Sequence, residues 1–167
     1  GNTTISGGTI NFASSSALAT AGSLVLVNGN LLNSSGSPFT ILNNQSWAGT
    51  VSFGGNFSIG AASVDTLTAN TTINLSNNTL TLSGNIAQSG NTGEALVVTG
   101  NGIINFNGPA NLSSNLNTAH FGVTGNINVN IGTGGNIVAN KTGTAGWTSL
   151  ATSIGDNVTV TLSGSGS

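Results

Sequence analysis

A period of two runs through this chain. Short stretches alternate apolar and polar residues, and Gly or Asn closes each one. They include Thr9–Phe12, Ser23–Val27, Thr50–Phe53, Thr72–Leu75, Thr79–Leu82, Leu96–Thr99, Ile103–Phe106, Ile127–Ile131 and Val158–Leu162. Such alternation, rich in β-branched residues, marks half-buried strands. The Gly-Gly, Asn-Gly, Gly-Asn and Ser-Gly pairs between them suit turns that need a positive φ. Helical patterning is poor. Only Ser14–Ala21 and Thr144–Ile154 could form a turn or two.

Strands this short and this closely spaced suit a sandwich, a barrel or a parallel solenoid. Three features favour the solenoid. The turns are rich in Asn, whose side chains can form hydrogen-bonded ladders between stacked coils. The inward residues are Ile, Leu and Val with six Phe and no Tyr, as a narrow core requires. The sequence also echoes itself. Gly8–Phe12 is answered by Gly102–Phe106, Gly29-Asn30-Leu31 by Gly125-Asn126-Ile127, and Leu82-Ser83-Gly84 by Leu162-Ser163-Gly164. The expected organisation is one all-β domain over 1–167, a first repeat over 1–94 and a shortened, diverged second over 95–167. Coils of about 20–24 residues would give about seven or eight coils. At ~4.8 Å per rung the rod would be on the order of 35 Å long.

Composition excludes most other classes. Charged residues are 2% of the chain, with one Lys and no Arg. Nothing so poor in positive charge neutralises a row of phosphates or forms a polybasic membrane patch, so nucleic-acid binding and membrane insertion are not expected. No apolar stretch approaches the roughly 20 residues of a spanning helix. Disordered chains are typically charged and poor in β-branched residues, unlike this one. Cys is absent, which removes disulfides and thiolate metal sites. The chain starts at Gly1 and holds no Met, which suggests a processed or excised piece.

Gly1–Phe12, Ser16–Leu18 and Leu24–Gly29 together resemble the autotransporter-associated β-strand repeat. Asn44–Phe53 with Asn56–Gly60, Leu67–Ile73, Thr79–Ile86 and Leu96–Gly108 continue the resemblance. It covers about two-thirds of the chain and fades past Pro109. The resemblance implies a right-handed parallel β-helix within large secreted or surface-displayed bacterial proteins. It brings no catalytic residue, because the repeat has none.

Candidate chemistry is sparse. The titratable side chains are Asp65, Glu94, His120, Lys141 and Asp156. Glu94 and His120 lie about one coil apart and could meet as an acid–base pair, but exposed loop positions suit them better. There is no Gly-x-Ser-x-Gly elbow, no Gly-Gly-x-Gly-x-Asp calcium frame and no phosphate loop. Neither an enzyme, a cofactor nor a metal site is expected. Ten Asn-x-Ser/Thr motifs, at Asn2, Asn33, Asn44, Asn56, Asn70, Asn74, Asn77, Asn111, Asn140 and Asn157, are close to what this much Ser and Thr gives by chance. The Thr-x-Thr pairs do not recur at one coil length, against a flat ice-binding face. Trp47 and Trp147 read as buried packing rather than sugar-stacking platforms.

The function expected is mechanical. A secreted or cell-surface solenoid would stack head to tail on copies of itself, forming a filament or matrix fibre. Its uncapped terminal strands would be the joint, with Thr3, Ile5, Ile10 and Phe12 at one end and Val158, Val160 and Leu162 at the other. A surface polysaccharide is a further candidate partner. The alternative is a stalk or passenger segment of an autotransporter-type adhesin.

Overall fold

The computed structural model describes residues 1–14, 18, 19, 21–89, 94–111, 121–131, 136–138 and 159–162. Every regular element among them is a strand. In order these are β1 (Thr3–Ser6), β2 (Thr9–Phe12), β3 (Leu24–Val27), β4 (Asn30–Asn33), β5 (Phe39–Ile41), β6 (Gln45–Gly54), β7 (Phe57–Ile59) and β8 (Val64–Leu82). They continue with β9 (Asn85–Gln88), β10 (Leu96–Phe106), β11 (Pro109–Asn111), β12 (Phe121–Val123), β13 (Asn126–Ile131), β14 (Asn136–Val138) and β15 (Thr159–Leu162). The described part of Ser14–Ala21 contains no helix, and Thr144–Ile154 lies outside the described residues.

All strand pairings are parallel, and each joins a strand to the chain one coil further on. The chain is therefore an all-β parallel solenoid. Following one position upward gives Thr3, Leu24, Gln45, Asp65, Ile86 and Ala110, five turns in steps of 20 to 24 residues. About five turns are described in this way. Beyond them the coils lengthen: Pro109 pairs Asn136, 27 residues on, and Asn128 pairs Thr159, 31 residues on.

The pairings define three stacks around the axis. The first holds β1, β3, the start of β6, the start of β8, β9, β11 and β14. The second holds β2, β4, the end of β6, the middle of β8, the start of β10 and β12. The third holds β5, β7, the end of β8, the end of β10, β13 and β15. The echoing segments Thr9–Phe12 and Ile103–Phe106 stand in the second and third stacks respectively.

Alternation sends every second residue inward, and the inward residues stack on like neighbours. Phe39, Phe57, Leu80, Ile104 and Val129 form one buried column, and Val51, Ile73, Val98 and Val123 another. The lower coils are filled by rings. Phe12 lies 4.5 Å from Phe39, and Phe53 lies 5.5 Å from Phe57 and 6.3 Å from Trp47. Trp47 is wholly buried.

The corners explain the Asn content. At the corners the coils stay in register, and what the N–H above lacks is a backbone carbonyl acceptor in the coil below. An Asn Oδ1 of the lower coil replaces it. Asn2 accepts the Ser23 N–H at 3.0 Å, Asn28 that of Thr50 at 2.9 Å and Asn44 that of Val64 at 3.0 Å. Asn56 accepts the Thr79 N–H at 2.8 Å and Asn70 that of Ala95 at 2.9 Å. Gly49 is needed above Asn28. Its φ is +68°, and a Cβ there would collide with the Asn28 amide. Instead of the expected ladder of turn Asn, one Asn-to-Asn bond is described, Asn130 donating to Asn105 at 2.8 Å within strands. Elsewhere Asn mostly bonds backbone.

Candidate functional site

The residues expected to form a joint belong to the two tips of the rod. β1 pairs only β3 and β2 pairs only β4, so each leaves one edge unpaired among the described residues. Thr3 donates its N–H to the Ser23 carbonyl at 2.9 Å. Alternation along a parallel strand then aims the N–H groups of Thr4 and Ser6 at the open edge. Thr3, Ile5 and Ile10 are half-buried, and both Ile side chains pack against the core from the end of the rod. Phe12 is different. It is 1% exposed and packs against the rings of Phe39 and Phe57, so it closes the core instead of lining the tip.

On the third side of this first coil, residues 13–22 carry no strand among those described. The Asn43 amide ties them down by donating to the carbonyls of Ala19 at 2.9 Å and Gly22 at 3.0 Å. Two of the three sides of this tip therefore offer a bare strand edge. At the other end Val160 pairs Val129 and Leu162 pairs Ile131 through their backbones, and β15 has no further partner among the described residues. Val158 lies outside the described residues.

The expectation of exposed loop positions for the titratable side chains needs correcting. Glu94 is buried, 7% exposed. It leads into β10, where its carbonyl accepts the Gln88 Nε2–H at 2.6 Å and the next residue is held by Asn70. His120 lies outside the described residues, so the suggested pair with Glu94 does too.

Asp65 is fully buried in the first stack, between Gln45 below and Ile86 above. Burial pushes its carboxyl from 3.8 up to about 7, against a smaller lowering by the Ser63 hydroxyl. That hydroxyl donates to the Gly60 carbonyl at 2.7 Å, and neither Asp65 oxygen holds a hydrogen bond. Gln45 accepts from the Trp47 indole N–H at 2.9 Å and leaves its own Nε2 unbonded. Among the described residues no three His, Cys, Asp or Glu side chains gather into a metal site.

No family model, curated protein or solved structure matches this chain.

Proposed function

We propose that this chain is an extracellular structural unit that stacks end to end into a filament or matrix fibre on a bacterial surface. The observation that carries the reading is the pair of bare edges, β1 and β2, with half-buried Ile5 and Ile10 between them. Open edges template further pairing, and nothing charged guards this one. A net charge of −2 gives little repulsion between copies. The winding is taken as right-handed, as parallel crossover connections nearly always are. Continuation of the ladder through β13, β14 and β15 would bring the rod to about seven coils. The kinship proposed is with the autotransporter-associated repeat. Its role here is scaffolding, not catalysis.

Negative-stain imaging of the purified chain tests this. Threads of one rod's width are expected. Thr4→Pro should abolish them, because it removes a donor at the open edge while leaving the Thr3 bond to Ser23 intact. Circular dichroism should show the variant still folded. Discrete short rods from the parent chain would overturn the proposal in favour of the stalk or passenger role.

A further inference from the structure

Where the second and third stacks meet, the outer surface is concave. A groove of about 710 Å³ crosses four coils there, from Asn56 past Asn77 and Asn101 to Asn126 and Asn128. A smaller hollow of about 250 Å³, reaching Asn33, adjoins it and shares Asn56 and Asn77. The amides along this line fall into two kinds. Asn78 is buried and engaged at both ends, accepting the Ser76 N–H at 2.6 Å and donating to the Gly55 carbonyl at 2.8 Å. It belongs to the wall. Asn77, Asn101, Asn126 and Asn128 are exposed, and their side chains hold no hydrogen bond among the described residues.

The backbone is arranged to present them. Asn101 pairs Ser76 and Gly102 pairs Asn78, so Asn77 is an extra residue in β8, at φ +54°. Such a bulge re-aims a side chain out of the ladder. Gly102, at φ +151°, passes so close to the Asn78 backbone that a Cβ would collide with it.

Each free amide offers a carbonyl acceptor and two N–H donors in one plane. That set matches neighbouring hydroxyl groups, which both donate and accept. Among the described residues, no charged or aromatic one lines the groove. An ionic ligand would lose hydration with no counter-charge in return. An apolar ligand would strip water from the amides and leave them unpaired. The amides recur from rung to rung at ~4.8 Å, which suits a chain of similar units over a single ring.

We propose that this groove binds an uncharged oligosaccharide chain laid across successive coils, held by the amides of Asn77, Asn101, Asn126 and Asn128. The site is on the side of the rod and does not depend on stacking at its tips.

The test is a titration of the whole chain with cellohexaose, maltohexaose and, as the ionic contrast, hexameric galacturonate, read by NMR of the Asn side-chain amides. Saturable shifts confined to these four amides are expected with at least one neutral hexamer. The corresponding disaccharide should bind about tenfold more weakly, having lost the outer contacts. Asn101→Ser with Asn126→Ser should weaken the hexamer about tenfold, as should Asn77→Gly, which suits the bulge backbone. Asn85→Ser, an exposed site on the first stack, should leave it unchanged. Three results would overturn the proposal: no saturable shift with either neutral hexamer, equal binding of the galacturonate, or shifts indifferent to the groove variants.

Discussion

Asp65 sits where water does not reach it, and its proton decides what that costs. In the unfolded chain the carboxyl ionises near 3.8, and in the fold near 7. Between those values the folded state keeps a proton that the unfolded state has lost. Stability is therefore greatest below about pH 4, falls as the pH rises towards 7 and levels off above. The full drop is roughly 4 kcal/mol, since each pH unit between the two values contributes about 1.4 kcal/mol. Asp65→Asn removes the titration. Its urea midpoint should stay level from pH 4.5 to 8, should exceed the parent's at pH 8, and should not share the parent's decline. A parent midpoint that climbed with pH would contradict this account. The sequence holds no hint of the burial. In Val64-Asp65-Thr66-Leu67 a hydrophobicity reading would turn Val64 inward, yet Val64 is 39% exposed. Leu67 and the register with Gln45 and Ile86 decide the phase, and Asp65 follows.

At the level of the strand, the corners are the informative parts. β8 runs for 19 residues through Asn70, Asn77 and Asn78, all of which look like turn residues in sequence. The chain bends at such residues while its ladder continues, because pairing to the coil below does not stop at the bend. The runs with clear alternation, such as Thr79–Leu82 and Ile103–Phe106, were legible as strands for that reason. β4, β5, β7, β9, β11 and β14, three or four residues long, were not among the alternating runs. The Asn28 amide shows what a corner contributes. Asn28→Ala would leave the Thr50 N–H without its acceptor and should cost about 1 kcal/mol. Phe57, touching Phe12, Phe39 and Phe53, carries more. Phe57→Ala should cost about 3–5 kcal/mol. Denaturant unfolding of both variants checks the ranking.

For the molecule as a whole, charge has almost no part in cohesion. The two acidic side chains described are both buried, and the rest of the rod is held by backbone pairing and apolar columns. Threads joined in the same manner should persist in molar salt, where exposed ion pairs are screened. Dissociation by salt alone, followed by light scattering, would show that the joint is of another kind. The general architecture was readable because alternation, Gly and Asn recur all along the chain. The lengthening of the coils past Pro109 was not, since nothing in the spacing of Asn111–His120 shows how much chain one circuit absorbs.

Every rung follows the one beneath it in the same sense, and this makes the two tips different objects. A tip cannot meet its own twin and extend the ladder, because the facing rungs would then run against each other. Any assembly that prolongs the ladder therefore has an arrow. Its leading and trailing ends would add subunits at unequal rates, and a surface that captured one end would set the direction in which the whole thread points.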